Sequence, residues 1–360
     1  MPERFVVIMA GGRGERFWPQ SRLKRPKHLL PIVGRQPMLA QTVARVRPLV
    51  KARNIFVITT LSQRAAVRRV CRELPAANII GEPVGRDTAA AVGLAALLVR
   101  RRQPDAAFAM LPADHVIGDV AGFRNLLRAA FEAAESADEL VTLGIEPTGP
   151  ATGFGYIERG AVWHTGPARI LRAKRFVEKP SLAKARAYLA SGRYYWNAGM
   201  FVWRAPVIEA ALRAHAPGLA RQLAGLDAAI RRQGLTRALS RIYPGLEKIS
   251  IDYAVMEQAR NVLVVPANFG WDDVGSWTAL ARHHRPDSAG NILRGCACVE
   301  SGRNNIVISS GPHLAAVLGL DNLVVVHTPD ATLVCPAGRD QEIKDLLHRL
   351  RADPKTHRYL

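Results

Sequence analysis

The stretch that decides the fold runs from Met9 to Pro19 and reads Met-Ala-Gly-Gly-Arg-Gly-Glu-Arg-Phe-Trp-Pro. The residues from Phe5 to Met9 are all apolar, which predicts a short buried strand that ends at the glycines. Glycine lets the backbone take a positive φ and approach a ligand closely, with N–H groups turned toward an anion. Arg13, Arg16 and, shortly afterwards, Lys27 add positive charge around the same loop. The loop therefore predicts a polyphosphate ligand.

Two familiar phosphate-binding loops do not fit this stretch. The P-loop requires a Gly-Lys-Ser/Thr string four residues after a glycine, and the sequence contains none. The dinucleotide fingerprint requires a third glycine that opens a helix, but Phe17 occupies that position and Pro19 follows. The remaining pattern is G-x-G-x-R-x-x-P from Gly12 to Pro19, followed by Pro26-Lys27. The alternative interpretation is an ordinary glycine turn that carries basic surface residues.

This pattern resembles the sugar-nucleotide pyrophosphorylases, enzymes that join a nucleoside triphosphate to a sugar 1-phosphate. The resemblance implies an α/β fold with a mixed, mainly parallel Rossmann-like sheet flanked by helices. It also implies a nucleotide site in the loop, at Ala10, Gly11, Gly12, Arg13, Gly14, Arg16 and Lys27. Within that set, Arg16 and Lys27 are expected to be catalytic, because they would stabilise charge on the departing pyrophosphate.

A second polar turn runs from Gly81 to Thr88 and opens an Ala-rich helix. It resembles the E-P-x-G-R-N-T-A segment of the mannose-1-phosphate guanylyltransferases, which implies that Glu82 reads the base and that Gly85 and Thr88 contact the nucleotide. A carboxylate can accept from both N1–H and the exocyclic amine of guanine, a pair that adenine cannot offer. The alternative is a helix N-cap at Asp87 with Glu82 in solvent.

Two aspartates are candidate metal ligands. Asp114 follows the apolar run from Ala107 to Leu111, and a carboxylate at the end of a buried strand is placed to hold a hard divalent cation. The string P-A-D-H around it resembles the family's magnesium-binding motif. The family's W-x-D-V-G-S-W aligns its second metal aspartate with Asp273, with Asp272 as the runner-up. The resemblance thus implies Mg²⁺ held by Asp114 and Asp273, both catalytic, whereas the alternative for Asp114 is a helix N-cap.

Three further segments resemble the sugar-binding motifs of the family, at residues 152–158, 175–180 and 195–203. They imply that Gly155 approaches the hexose, that Lys179 binds the sugar phosphate, and that Glu178 and Asn197 bind sugar hydroxyls. Asn197 suits that role because an amide offers both a donor and an acceptor. The alternatives are a glycine at a strand entrance and a surface ion pair between Glu178 and Lys179.

The alternation of strand, loop and helix predicts a nucleotidyltransferase domain over residues 1–282. Residues 283–287 read as a polar linker, and short strand-like runs then predict a small β-domain with a terminal helix over residues 288–360. By resemblance this is a truncated left-handed β-helix, as in the short members of the family that lack the isomerase domain.

Composition excludes some classes of protein. The net charge of +20 invites a nucleic-acid interpretation, but the basic residues are spread along helices rather than clustered with aromatics. No stretch approaches the roughly 20 apolar residues needed to cross a bilayer, and the start, Met-Pro-Glu-Arg, is too polar for a signal peptide. We therefore expect a cytoplasmic protein that binds neither nucleic acid nor membrane.

Six ordered motifs over about residues 4–280 resemble the family, so the expected activity is transfer of GMP from GTP to mannose 1-phosphate. The sugar phosphate is already ionised at neutral pH, since the second pKa of a phosphate monoester is about 6, so no general base is required. Two rival functions remain. One is a pyrophosphorylase for another nucleotide and sugar 1-phosphate, such as glucose 1-phosphate, and the other is a non-catalytic regulatory homologue. Whether the chain forms a homodimer is left open.

Overall fold

The computed structural model describes residues 3–360; Met1 and Pro2, which begin the polar start considered above, lie outside the described residues. The described chain forms two compact units. The first unit comprises the residues through Gly11, residues 43–113 and residues 117–271. The second unit comprises residues 12–42, 114–116 and 272–360. In the described part of the chain, every helix is too short or too polar to cross a membrane.

The strands of residues 3–360 are, in chain order, β1 (Phe5–Ala10), β2 (Ile55–Thr60), β3 (Ile79–Glu82), β4 (Ala107–Pro112), β5 (Val116–Ile117), β6 (Leu140–Ile145), β7 (Tyr156–Thr165), β8 (Arg169–Val177), β9 (Tyr194–Arg204), β10 (Val262–Ala267), β11 (Trp271–Asp272), β12 (Ile292–Arg294), β13 (Ala297–Glu300), β14 (Ile306–Ser309), β15 (Ala315–Leu318), β16 (Leu323–Thr328) and β17 (Ala331–Pro336).

The α-helices of the same residues are α1 (Met38–Val46), α2 (Arg64–Val70), α3 (Asp87–Arg102), α4 (Val120–Ser136), α5 (Leu182–Ser191), α6 (Ala205–His215), α7 (Pro217–Gln233), α8 (Leu235–Ile242) and α9 (Ile343–Ala352). Short 3₁₀ turns at Glu15–Phe17 and Lys27–Leu29 carry parts of the glycine loop.

The first unit is built on a mixed sheet, which confirms the predicted fold class. Within residues 3–360 the strand order is β3-β2-β1-β4-β9-β6-β10-β8-β7. β1 runs parallel to β2 and β4, and β2 runs parallel to β3, whereas β9 is antiparallel to both β4 and β6. Because parallel neighbours end at one edge, the loops after β1, β3 and β4 start at the same edge of the sheet.

The central strands of this sheet read as continuous apolar runs because both of their faces are covered. The side chains of β1 from Phe5 to Ile8 are no more than 1% exposed. The Ala-rich helix α3 and helices α6, α7 and α8 bury apolar side chains in the same core as β1 and β4. This rigid sheet fixes the positions of the loops at its edge.

The second unit contains the predicted small β-domain. Strands β12, β14 and β16 pair in parallel, β17 closes that sheet antiparallel to β16, and β13 pairs in parallel with β15. Asn305 is fully buried and connects successive turns of the β-domain. Its side-chain amide donates to the main-chain carbonyl of Leu320 at 2.8 Å. The three-residue strand β12 was not predicted, because so short a run carries no clear alternation. The left-handed sense of the coil stays a prediction.

The core of the second unit also takes in the chain that follows β1. Phe17 packs edge-to-face on Trp277 with 4.9 Å between ring centroids, and the Trp277 indole donates to the carbonyl of Trp18 at 3.1 Å. These aromatics share a core with Ile306 and Val324 of the β-domain. The two compact units therefore differ from the predicted domains, 1–282 and 288–360, because the second unit includes residues 12–42. The predicted domain boundaries stay a prediction.

Candidate active site

The glycine loop owes its shape to one position. Gly14 has a φ of 61°, in the left-handed region that side chains other than glycine rarely occupy. A Cβ on Gly14 would lie 2.2 Å from the Cβ of Lys27, so only glycine lets the two segments approach. Gly11 and Gly12 are described without a positive φ, so the prediction of a left-handed backbone is confirmed at Gly14 alone.

Lys27 lies beneath this turn and connects three parts of the second unit. Its side chain is almost fully buried, and its Nζ donates to Oδ2 of Asp114 at 2.9 Å. The same ammonium donates to the main-chain oxygens of Asp114 at 2.9 Å and Asp273 at 2.6 Å. The structure thus brings together the cation and the two aspartates that were predicted from motifs far apart in the sequence.

The electrostatics at this cluster differ for the two carboxylates. Burial works to raise the pKa of Asp114, but the Lys27 ammonium, with the neighbouring histidines, lowers that pKa to about 2. The pKa of Asp273 is raised, mainly by burial and further by the charges of Asp272 and Asp114, although Lys27 opposes the shift. Asp114 therefore stays ionised, and a second cation nearby would favour ionisation of Asp273 as well.

This donor set fits a hard divalent cation. Among residues 3–360 no group of three or more His, Cys, Asp or Glu side chains could hold a metal ion by itself. Magnesium is commonly bound through one or two carboxylates, with substrate phosphates and water completing its shell. Two carboxylates beside the glycine loop and its arginines match that pattern.

A cavity of about 350 Å³ opens over the cluster within the second unit. The charged side chains that line it are the cations Arg13, Arg16, Lys27 and Lys344 and the carboxylates Glu15, Asp114 and Asp273. In the described chain the Nε of Arg16 is buried and has no hydrogen-bond partner, so it holds an unused donor. Such an excess of cations suits a polyphosphate.

The structure separates the two neighbouring aspartates. The carboxylate of Asp272 accepts from Nε and Nη2 of Arg282 at 2.6 and 2.8 Å, from His283 at 2.7 Å, and from the main-chain N–H of Val274 at 2.8 Å. Asp273, by contrast, lines the cavity. The arrangement favours Asp273 over Asp272 as a metal ligand, a distinction that adjacent residues in a sequence cannot provide.

Glu82 lies in the first unit at the end of β3. Its side chain is buried, its Oε1 accepts a hydrogen bond from the Tyr243 hydroxyl, and its Oε2 lies 3.5 Å from where a Cβ on Gly11 would stand. Burial raises the pKa of Glu82 to about 7, although the bond from Tyr243 opposes the shift. The alternative in which Glu82 is merely solvated is wrong.

The other residues predicted around the base have structural contacts. The hydroxyl of Thr88 accepts from the main-chain N–H of Ile251 at 2.8 Å, which ties the start of α3 to the segment around residue 250. The carbonyl of Ala10 accepts from Thr59 at 2.9 Å, and Gly85 lies exposed in the loop. Contact of Ala10, Gly85 and Thr88 with a nucleotide stays a prediction.

The predicted sugar-binding residues form a second cluster in the first unit. A Cβ on Gly155 would lie 2.5 Å from Oε2 of Glu178 and 3.2 Å from the Cβ of Asn197, so the glycine leaves room for the carboxylate. Lys179 does pair with Oε1 of Glu178, at 3.0 Å, as the alternative interpretation expected. However, Oε2 of Glu178 is buried and, in the described chain, has no hydrogen-bond partner, which leaves an acceptor for a ligand.

Asp252 belongs to this cluster but was not predicted. Its Oδ1 accepts from Nδ2 of Asn197 at 2.9 Å, and it opens a π-helical turn over Asp252–Met256. Burial, and then the charge of Glu178, raise the pKa of Asp252 to about 7. An acidic residue directly after the buried Ile251 was the signal that could have identified it.

Tyr243 beside Glu82, and Lys344 in the cavity, were missed as well. Neither residue lies in a motif, so only the fold identifies them.

Comparison with known proteins assigns the two parts of the chain to known families. Residues 5–289 match the nucleotidyl transferase family, and residues 298–350 match the MannoseP isomerase/GMP-like beta-helix domain. A mannose-1-phosphate guanylyltransferase from Sinorhizobium fredii (strain NBRC 101917 / NGR234) is 40% identical over 99% of this chain and 70% of its own length. One from Escherichia coli is 39% identical over 97% of this chain and 74% of its own length.

A solved structure from Thermus thermophilus, described as a mannose-1-phosphate geranyltransferase, superposes with a TM-score of 0.84 at 35% identity, over 97% of this chain and 99% of that one. The match therefore extends over both compact units. The chain belongs to the nucleotidyl transferase family and, within it, to the mannose-1-phosphate guanylyltransferases.

Proposed function

We propose that the protein transfers GMP from GTP to mannose 1-phosphate and releases GDP-mannose and pyrophosphate. The observation that carries the proposal is the cavity in which Lys27, Asp114 and Asp273 meet beside Arg13 and Arg16. A set of cations with two carboxylates suits a triphosphate and its divalent ion. The relatives that match nearly the whole chain bear the name of this activity.

In the proposed reaction an oxygen of the sugar phosphate attacks the α-phosphorus in line, forming a P–O bond while the bond to pyrophosphate breaks. The chain supplies positioning and charge neutralisation, which are the main contributions in phosphoryl transfer. Arg16 and Lys27 would bind the triphosphate and stabilise the departing pyrophosphate. Asp114 and Asp273 would hold the metal ion, which we propose to be Mg²⁺. When bound, it would supply positive charge at the phosphate oxygens.

The cluster in the first unit is proposed to bind mannose 1-phosphate. Lys179 is about half exposed and carries the charge that a sugar phosphate requires. The free Oε2 of Glu178 and the amide of Asn197 would bind sugar hydroxyls, with Gly155 leaving space beside them. Asp252 would position Asn197, because it already accepts from the amide.

Location and partners are proposals of the same kind. A cytoplasmic location follows from the proposed use of GTP, which that compartment supplies. The absence of nucleic-acid binding stays a prediction, and the oligomeric state stays open, as it does from the sequence.

A substrate panel tests the proposed function. Each of four nucleoside triphosphates is paired with mannose 1-phosphate and with glucose 1-phosphate, and pyrophosphate release is measured with Mg²⁺ present. GTP with mannose 1-phosphate is expected to be the fastest pair. A faster reaction with another pair would establish the rival pyrophosphorylase, and no release from any pair would favour a regulatory homologue.

The state of Glu82 predicts how GTP binding depends on pH. Only the ionised carboxylate accepts from both N–H groups of guanine, and the pKa of Glu82 in the free protein is raised to about 7 by burial. The pKa of Tyr243 is raised well above its usual value, chiefly by burial, so the phenol stays a donor. The affinity for GTP should therefore rise about tenfold from pH 6 to pH 8, as the ionised fraction of Glu82 rises.

The triphosphate also titrates in this range, so the Glu82→Gln variant is the control. It keeps the shape and the triphosphate's own titration but has no ionisable group at position 82. Calorimetric titration with GTP at several pH values should give a steeper dependence for the unmodified protein than for Glu82→Gln. Equal slopes would remove Glu82 from base recognition.

Lys344 is expected to contribute to GTP binding although it lies in helix α9. Its side chain lines the same cavity as Arg16 and Lys27. Lys344→Met should lower the affinity for GTP about tenfold. A hydrogen bond to a charged group contributes about 1.5–3 kcal/mol, and the lower value corresponds to about a tenfold change. Lys355→Met removes another exposed lysine, one that lies outside the cavity lining, and it should leave the affinity unchanged. Equal affinities for the two variants would contradict the prediction.

A further inference from the structure

A second cavity lies within the second unit and shares no lining residue with the first. Its volume is about 370 Å³. Its charged lining consists of Arg22, Arg25 and Arg294, and in the described chain no acidic residue lines it. The catalytic cavity, by contrast, is lined by cations and carboxylates together. The second cavity is therefore positive and lacks the means to bind a metal.

Arg294 is the arginine of this lining that is held most firmly in place. Its Nη1 donates to the carbonyl of Ile32 at 2.7 Å and its Nη2 to the carbonyl of Pro31 at 3.2 Å. Burial lowers the pKa of Arg294, and no carboxylate among residues 3–360 opposes that shift. Arg294 is half-buried in the lining and forms no ion pair in the described chain, so its guanidinium brings an uncompensated charge to the cavity.

The other two arginines are held by one tight turn. The main-chain N–H groups of Arg22 and Arg25 each donate to the other residue's carbonyl at 3.0 Å. Arg22 is neutralised by Oδ1 of Asp330 at 2.7 Å. Arg25 is exposed and, in the described chain, forms no ion pair. Two of the three guanidinium charges at the cavity are thus left without a carboxylate.

The cavity lining also offers a neutral hydrogen-bond donor, Ser310. The hydroxyl oxygen of Ser310 accepts from Nε2 of Gln20 at 2.9 Å, which leaves the O–H of Ser310 to donate to a ligand. The neighbouring Ser309 hydroxyl is already used, because it donates to the carbonyl of His313 at 2.5 Å. The available groups are therefore donors from two unpaired arginines and one serine.

We propose that this cavity is an anion site that binds a phosphate group, either as inorganic phosphate or as the phosphate of a small phosphomonoester. Arginine is the side chain best suited to phosphate, since its planar fork donates two parallel hydrogen bonds. The cavity's volume is in the range of small-molecule sites, so it has room for more than the phosphate alone. The proposal does not depend on the activity proposed above.

The test is calorimetric titration of the full chain with inorganic phosphate. Arg25→Met is the main variant, because Arg25 is exposed and its loss should not disturb the fold. Lys24→Met is the matched control, since it removes an adjacent exposed charge that does not line the cavity. Loss of one charge-assisted bond should weaken phosphate about tenfold in Arg25→Met and leave Lys24→Met unchanged.

The first cavity is itself proposed to bind the phosphates of GTP, so the Lys27→Met variant is used to distinguish the two cavities. Phosphate binding that survives in Lys27→Met and is lost in the double variant Lys27→Met/Arg25→Met belongs to the second cavity. Arg294→Met should act like Arg25→Met, with a melting curve to check the fold, since Arg294 also holds Pro31 and Ile32. Repeating the titration with glycerol phosphate identifies the source, because tighter binding indicates a phosphomonoester and weaker binding the free ion. Equal phosphate affinity in Lys24→Met, Arg25→Met and Arg294→Met would overturn the proposal.

Discussion

Replacing Asp273 with asparagine is expected to lower turnover by about 10²–10³, the usual cost of losing one electrostatic contact to the transition state. The amide keeps the shape of the side chain but removes a negative charge that would hold the metal ion. The main-chain oxygen of Asp273, which accepts from Lys27 at 2.6 Å, is unaffected by the substitution. The loss should therefore be one of catalysis and not of structure.

The thermal stability of Asp273→Asn should not fall with its turnover. The pKa of Asp273 is raised, chiefly by burial and also by Asp272 and Asp114, so the ionised form is disfavoured in the folded protein. Removing that charge should leave the melting temperature unchanged or slightly higher in the absence of metal. Steady-state kinetics with Mg²⁺ and a melting curve without it measure the two effects separately.

Asp272→Asn is the matched control, since it makes the same chemical change one residue away. In the unmodified protein the Asp272 carboxylate accepts from Arg282 and His283, so its loss should lower the melting temperature. Turnover should fall much less in Asp272→Asn than in Asp273→Asn. Near-normal turnover of Asp273→Asn with an intact fold would eliminate Asp273 as a ligand and make Asp272 the candidate again.

The parts of the fold that sequence predicted well are those set by local pattern. The apolar run from Phe5 to Met9 is a buried strand, as its composition predicted. Asp114 and Asp273 were found because each lies in a compact motif. Local pattern also predicted the small β-domain and its terminal helix, although it missed the three-residue strand β12.

The parts that sequence missed are those created by contacts between distant segments. Asp252 and Asn197 are 55 residues apart, and Tyr243 and Glu82 are 161 residues apart, so neither pair leaves a local pattern. Lys344 lines the same cavity as Lys27 because the core of the second unit joins residues near Phe17 to helix α9. The separate roles of Asp272 and Asp273 likewise depend on Arg282 and His283, which are brought to Asp272 by the turn after Trp277.

The second large effect separates the nucleotide from the sugar. Lys27 lines the cavity of the second unit that is proposed to bind GTP, whereas Lys179 pairs with Glu178 in the first unit. Lys27→Met should lower the affinity for GTP, and Lys179→Met should lower the affinity for mannose 1-phosphate. Each variant loses a charge-assisted contact worth roughly 1.5–3 kcal/mol, which corresponds to about a tenfold to hundredfold loss of affinity.

The two lysines also differ in what their loss does to the free protein. Lys27 is buried and holds Asp114 and Asp273, so Lys27→Met leaves the Asp114 carboxylate without its partner and should lower the melting temperature. Lys179 is more than half exposed and holds only Glu178, so Lys179→Met should lower the melting temperature less than Lys27→Met does. Affinities must therefore be measured well below the melting temperature of Lys27→Met.

Both substrates' phosphates must come together in the reaction, so a substitution at one lysine can affect the other substrate when both are present. Titration with GTP alone removes that coupling. Under this condition Lys179→Met should bind GTP like the unmodified protein, while Lys27→Met should bind it about tenfold to a hundredfold more weakly. If Lys179→Met lowers the affinity for GTP as much as Lys27→Met does, Lys179 belongs to the nucleotide site. The cluster of Gly155, Glu178 and Asn197 would then lose its phosphate-binding cation and its assignment to the sugar.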